Sequence, residues 1–312
     1  MILTVTPNPC VDKTLFTGPI ELGAKIRAQR CACIAGGKGC NVSRAVKAMG
    51  GDTVAMVMVA GPTGRHVVDM LEKRDGVPTV PVWVDGLTRT ITTVLEEPPH
   101  RQTAFFEPGP LTTGAERRRF TDLFREAITQ AELVTLNGSA PDPALDTLYR
   151  DLLDIAHAGK VPVILDAYGM IFANALQSRP FMVKPNVEEL ELLFASRLDT
   201  REKQWQAVDR LREGGVERVV LSLGEEGALV ASKEGCFHVV PPKIDEVNPV
   251  GSGDALVAGF ALGLTRGKDL VETARMGIAM GTANAMTWDI GSFTRAQVEA
   301  LKPAVRLVPR TG

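Results

Sequence analysis

Cysteine, histidine and tyrosine are scarce in this chain: five Cys, four His and two Tyr among 312 residues. Cys10, Cys31, Cys33, Cys40 and Cys236 are scattered, and none shows the two-residue spacing common in zinc sites. His66, His100, His157 and His238 are equally dispersed. That excludes a disulfide framework or a structural metal as the organising device, and a reducing, cytoplasmic setting is expected. No run of about 18 apolar residues occurs, so no membrane-spanning helix is expected. Met1–Thr6 lacks a basic stretch and meets Pro7 at once, which reads as a first strand rather than a leader. Charge of one sign is lacking too. Formal net charge is −2, with 35 basic and 37 acidic residues intermixed, so neither a nucleic acid nor an anionic membrane is the expected partner.

What is present is an ordinary core composition, 45% hydrophobic, with strand-like and helix-like segments in alternation. Strands are expected at Ile2–Thr6, Val54–Val59, Leu133–Leu136, Pro162–Asp166, Phe181–Lys184 and Arg218–Leu223. Val42, Ala45, Val46 and Met49 fit one helical face, stopped by Gly50-Gly51. Gly114–Ala131, Ala144–His157 and Thr200–Glu213 read as further helices. This alternation predicts an α/β fold with a mostly parallel sheet covered on both faces. Ligands in such sheets sit at the carboxyl ends of the strands. No repeat, low-complexity tract or long linker divides the chain, which predicts a single domain over residues 1–312. Two stretches break the rhythm: Asp12–Ile34 and Thr88–Phe106 are β-branched and poor in helix signals. They predict a small β flap, about residues 12–34 and 88–107, with Pro98-Pro99 turning the chain and Gln102–Phe106 returning antiparallel. Open edges of such a flap suit pairing with a second subunit.

Five constellations carry chemistry. Asn248-Pro249-Val250-Gly251-Ser252-Gly253-Asp254 precedes an apolar segment; two glycines let several N–H groups converge, and a helix beginning there adds its positive end. Such an anion cup with a carboxylate at its lip suits phosphoryl transfer to a hydroxyl; the plainer reading is a helix cap at Asp254. Gly36-Gly37-Lys38-Gly39-Cys40-Asn41 leads into the Val42 helix and is neither a P-loop nor G-x-G-x-x-G. It lets a small polar ligand approach the backbone, or is a turn with an exposed lysine. Asn8-Pro9-Cys10-Val11-Asp12 places a carboxylate after the first strand, for sugar hydroxyls or as a solvated turn residue. In Lys184-Pro185-Asn186-Val187-Glu188-Glu189, Asn186 and Glu189 share one helical face, suited to Mg²⁺ through waters or to an ordinary capping box. Ser222-Leu223-Gly224-Glu225-Glu226-Gly227-Ala228 reads as strand, turn and strand, passing close to a nucleotide or forming a hairpin.

The order of these motifs along the chain resembles the PfkB/ribokinase carbohydrate kinases, from Asn8 to about Gly291, and within them the hexose-phosphate kinases. The resemblance implies a ribokinase-like three-layer α/β/α sandwich with a small β-sheet lid. It implies ATP- and Mg²⁺-dependent phosphorylation of a ketohexose phosphate, first of all fructose 1-phosphate to fructose 1,6-bisphosphate. Tagatose 6-phosphate or fructose 6-phosphate is the alternative acceptor, and a non-catalytic sugar-phosphate or nucleotide sensor the alternative of another class. Asp254 is then the general base, and Gly251, Ser252 and Gly253 the anion hole. Asn186 and Glu189 position Mg²⁺. Lys184, Asn186, Ser222, Gly224 and Gly227 lie along ATP, with Asn284 closing the adenine pocket. Asp12, Gly37, Lys38, Gly39 and Asn41 hold the sugar, and a homodimer through the lid is implied.

A phosphosugar acceptor needs cations, and Lys25, Arg27, Lys38 and Arg89 fall at matching places, with Ser139 adding a hydroxyl. Pro249 stands where Thr or Ser is common, which bears on a monovalent-cation (K⁺) site nearby. Asp166-Ala167-Tyr168-Gly169 and Asn137 also depart from the family pattern, on the sugar side.

Overall fold

The computed structural model describes residues 1–97 and 101–310, so the expected turn at Pro98-Pro99 lies outside the described residues. The strands are β1 (Ile2–Thr6), β2 (Cys10–Thr17), β3 (Arg30–Gly36), β4 (Thr53–Ala60), β5 (Thr79–Val84), β6 (Thr90–Glu96) and β7 (Arg101–Phe106). They continue as β8 (Leu133–Asn137), β9 (Val163–Asp166), β10 (Met182–Val183), β11 (Arg218–Ser222), β12 (Ala228–Ser232), β13 (Gly235–Val240) and β14 (Arg306–Pro309). The α-helices are α1 (Lys38–Ala48), α2 (Gly61–Asp69), α3 (Gly114–Ala127), α4 (Leu148–Ala158) and α5 (Met170–Ala175). Then come α6 (Val187–Phe194), α7 (Arg201–Glu213), α8 (Ser252–Thr265), α9 (Leu270–Ala285) and α10 (Arg295–Leu301).

Ten strands form the main sheet in the order β14-β13-β12-β11-β10-β9-β8-β1-β4-β5. From β5 to β11 every neighbour is parallel; β12, β13 and β14 join antiparallel. The six expected strands are all present, as are the helices over 114–127, 148–158 and 201–213, the last almost to the residue. Alternation along β1 shows why both faces need cover. Leu3 and Val5 face a cluster containing Phe120 and Phe124 of α3 with Leu152 and Leu153 of α4, whereas Ile2 faces Val42 of α1 and Phe260 of α8. Helix, sheet and helix therefore stack as three layers. The expected flap is a separate four-stranded sheet, β3-β2-β6-β7, with β6 and β7 antiparallel. No helix of the described residues is long and apolar enough to cross a membrane.

Candidate active site

Parallel strands all point their carboxyl ends the same way, and here those ends converge on one rim. β1 leads to Asn8, β8 to Ser139, β9 ends on Asp166, β10 is followed by Lys184, and β11 ends on Ser222. With the lid sheet and the start of α8 they enclose a cleft of about 1490 Å³. Of the residues singled out in the sequence, Asp12, Gly37, Lys38, Asn41, Arg89, Ser139, Lys184, Asn186, Ser222, Gly224, Gly227, Gly251, Ser252, Gly253 and Asp254 line it. Gly39, Glu189, Asn284, Lys25 and Arg27 do not line it. Lys25 and Arg27 are exposed in the loop between β2 and β3. Gly39 is buried against β1, where a Cβ would collide with the Thr6 hydroxyl.

Asp254 sits in the first turn of α8, only 6% exposed. Gly251 caps that helix in the left-handed region (φ 81°), where an L side chain is strained. The Ser252 N–H is spent on the Pro249 carbonyl at 3.1 Å. The Gly253 and Asp254 N–H groups, at the second and third helical positions, have no acceptor among the described residues. They are the free donors of the anion cup, strengthened by the helix dipole. A Cβ at Gly253 would lie 3.5 Å from Lys184 Nζ, filling the gap between helix terminus and ammonium. An anion in that gap would meet both the helix terminus and the ammonium.

Asn284 holds this turn from behind. Its Nδ2 donates to the Val250 carbonyl (2.9 Å) and the Ser252 hydroxyl (3.2 Å), and its Oδ1 accepts from the Gly291 N–H (2.8 Å). Both N–H donors and one acceptor site of the amide are in use, so Asn284 braces the turn that begins α8.

Charges in the cleft form one network. Lys38 Nζ lies 3.0 Å from Asp166 Oδ1 and 3.2 Å from Glu189 Oε1, and Lys184 Nζ lies 3.3 Å from the same Asp166 oxygen. Burial pushes the Asp166 carboxyl up, but the Lys184 and Lys38 ammonium groups outweigh it and hold it below the usual range. Asp166 Oδ2 is buried and unpartnered. Asp254 goes the other way: burial, and then the nearby Asp166 charge, raise it to about 7. Sequence reasoning placed Asp166 at a strand's carboxyl end without assigning it this task; that position was the available signal. Lys38, expected to meet the sugar phosphate, is engaged by two carboxylates.

Also lining the cleft, Arg89 donates from Nη2 to the Asn8 carbonyl (3.1 Å), while the buried Arg89 Nε and Asn8 Oδ1 have no partner among the described residues. Asn8 Nδ2 reaches towards Ser139 Oγ at 3.4 Å. An unpaired guanidinium donor beside amide and hydroxyl groups suits a sugar-bound phosphate. After β10, Asn186 and Glu189 form a full capping box: Asn186 Oδ1 accepts from Glu189 N–H at 2.7 Å, and Glu189 Oε2 accepts from Asn186 N–H at 2.9 Å. The exposed Glu188 adds a carboxylate to the cleft. No group of three or more His, Cys, Asp or Glu that could hold a metal exists among the described residues. These oxygen donors fit Mg²⁺ arriving on phosphates, since Mg²⁺ keeps several waters and needs only one or two carboxylates.

The sequence matches the pfkB family carbohydrate kinase model over residues 6–287. It is 33% identical over 299 residues to ATP-dependent 6-phosphofructokinase isozyme 2 of Mycobacterium tuberculosis, covering 96% of this chain and 88% of that protein. Three solved structures of phosphofructokinase-2 from Escherichia coli are 29% identical and cover 97% of this chain and 98% of that one. They are a tetrameric inhibited form (TM-score 0.90), a complex with potassium (0.91) and a complex with fructose-6-phosphate (0.89). This chain belongs to the pfkB family of carbohydrate kinases, as a phosphofructokinase-like sugar-phosphate kinase that transfers a phosphoryl group to a hydroxyl acceptor.

Proposed function

We propose that this kinase phosphorylates a fructose monophosphate with ATP, giving fructose 1,6-bisphosphate, and acts as one domain in a reducing cytosol. The observation that carries the reading is Asp254 beside two free N–H donors in a cleft that Arg89, with its unpaired Nε, also lines. Asp254 takes the proton of the acceptor hydroxyl as its oxygen attacks the γ-phosphorus in line. Gly253 and Asp254 N–H groups and the Lys184 ammonium stabilise the charge spreading over the phosphoryl oxygens. Asn186 and the Gly224–Gly227 turn border the nucleotide, and Asp12 and Asn41 border the sugar. Mg²⁺, held through Asn186, Glu188 or Glu189 and water, would neutralise the nucleotide phosphates. The lid sheet closes over the cleft and excludes water.

Fructose 1-phosphate is the acceptor the motifs put first. Fructose 6-phosphate is the second reading, supported by the relatives named 6-phosphofructokinase and by the E. coli complex. Both yield the same bisphosphate, because each carries its phosphate at the end opposite the reacting hydroxyl. A coupled assay with ATP and Mg²⁺ across both, with tagatose 6-phosphate and free fructose, tests this. Turnover of a phosphorylated ketohexose well above free fructose is expected; equal turnover of both would remove the phosphosugar reading. Arg89→Ala is expected to raise KM for the phosphosugar about tenfold or more, with KM for ATP nearly unchanged. Adding potassium tests the cation expected beside the Pro249 turn.

A further inference from the structure

Arg44, in the second turn of α1, touches no expected ligand, yet its side chain is only 11% exposed and makes four hydrogen bonds. Nε and Nη2 donate to Asp75 Oδ2 at 3.0 and 2.9 Å, and Nη2 also donates to the Ala35 carbonyl at 2.8 Å. Nη1 donates to Asn41 Oδ1 at 3.0 Å. Asn41 in turn donates from Nδ2 to Asp254 Oδ2 at 2.7 Å. A guanidinium only donates and an ionised carboxylate only accepts. The amide between them therefore has one orientation that satisfies both neighbours, oxygen towards Arg44 and nitrogen towards Asp254. The other Asp254 oxygen, Oδ1, has no donor among the described residues.

Asp75 is itself delivered by an unusual piece of backbone. α2 runs into a single π-helical turn, Met70–Arg74, and the Asp75 N–H donates to the Met70 carbonyl at 3.0 Å. Such turns are rare and concentrate at functional sites. Here the turn brings an 8% exposed carboxylate under α1.

We propose that Arg44, anchored by Asp75, is the positioning residue for the base: it locks the Asn41 amide so that Asp254 presents Oδ1 to the acceptor hydroxyl. This rests on Asp254 acting as the base. Asn41 is the only one of the three linking groups that touches Asp254, so Arg44 and Asp75 act through it. The Ala35 carbonyl belongs to β3, so the inner end of the lid hangs on the same guanidinium. The charged groups facing Asp254 are Lys38 at the start of α1, Asp166 at the end of β9 and Lys184 after β10; those facing Arg44 are Asp75 and, on β2, Asp12.

Two variants test this beside Asp254→Asn. Arg44→Lys keeps the charge for Asp75 but loses the fork that reaches Asn41 as well. Arg44→Met/Asp75→Asn removes both charges of that pair, so Asp75 is not left as a buried, unpaired carboxylate. In folded preparations, both are expected to lower kcat about tenfold or more, with KM for ATP and sugar phosphate within about threefold. The acid limb of kcat against pH is expected to move to higher pH, because a freed amide no longer donates steadily to the Asp254 carboxylate. A merely structural Arg44 would lower melting temperature without moving that limb. A kcat within threefold of wild type, or an unmoved limb, in either folded variant overturns the proposal. Near-normal turnover in Asp254→Asn would instead remove the base, and with it the premise; an inactive Asp254→Asn with wild-type behaviour at Arg44 removes the positioning alone.

Discussion

Asp166 and Asp254 share one cleft, and their surroundings drive them to opposite protonation states. Two ammonium groups on Asp166 keep it ionised; that charge, added to burial, then holds Asp254 up near 7. A base with that value works at neutral pH, and kcat is expected to climb through it as pH rises. Asp254→Asn is expected to keep the fold and lower kcat by on the order of 10² or more. The same raised value carries a stability cost. An unfolded Asp ionises near pH 3.9, so its contribution to stability is fully present below that and lost as pH rises to about 7. At roughly 1.4 kcal/mol per pKa unit, the ceiling is about 4 kcal/mol. Asp254→Asn removes the ionisation, so its melting temperature should exceed that of wild type by several degrees at pH 8, with the gap shrinking towards pH 5. A gap that widened on acidification would show that Asp254 is ionised throughout.

Between elements, α8 and α9 approach backbone to backbone, and that contact bears on the cup. A Cβ on Gly259 would meet the Gly277 Cα at 2.5 Å, and one on Gly277 would meet the Phe260 ring at 2.6 Å. Backbone, unlike a flexible side-chain tip, cannot yield to such a contact. The helices would have to separate, at a cost of about 1–3 kcal/mol. The last turn of α9 carries Asn284, whose amide holds Val250 and Ser252, so separation also loosens the turn that presents Gly253 and Asp254. Gly259→Ala is therefore expected to lower both melting temperature and kcat; a variant less stable but fully active would show the cup is independent of the pair. What made some elements legible is local. β1 announces itself as a β-branched run stopped by Pro7, and Thr200 opens α7 as its cap. β5 was not read from the sequence: Pro81 interrupts it, which an edge strand tolerates because one side lacks a partner. β13 and β14 escaped because pairing across the chain, rather than their own pattern, makes them strands. The same division runs through the site. Asp254, Asn41, Lys184 and Asn186 stand beside glycine- or proline-marked turns and could be picked out. Arg44 lies within α1 and Asp75 directly after a π-helical turn, 31 residues apart, with nothing local to mark their meeting.

At the scale of the whole molecule, the cleft of one chain leaves two of its expected cations unused. Lys25 and Arg27 lie in a fully exposed stretch, residues 21–30, beyond the cleft. The lid that carries them has two outer strands, β3 and β7, each with one edge unpaired among the described residues. β7 is exposed along its length, with Phe105 61% and Phe106 68% exposed. Open strand edges and large exposed aromatics together are what a second copy would cover. If lids pair in a homodimer, the β2–β3 loop of one subunit is carried towards its neighbour, and Lys25 and Arg27 gain a place to act that a lone chain does not give them. Phe105→Glu is then expected to shift the protein towards monomer on size exclusion, and to lower specific activity more steeply on dilution than in wild type. Lys25→Ala/Arg27→Ala is expected to leave assembly intact and raise KM for the phosphosugar alone. Two outcomes would separate these roles: full activity in a monomeric Phe105→Glu would free catalysis from assembly, and an unchanged KM in the double variant would place the phosphate entirely on Arg89, Asn8 and Ser139.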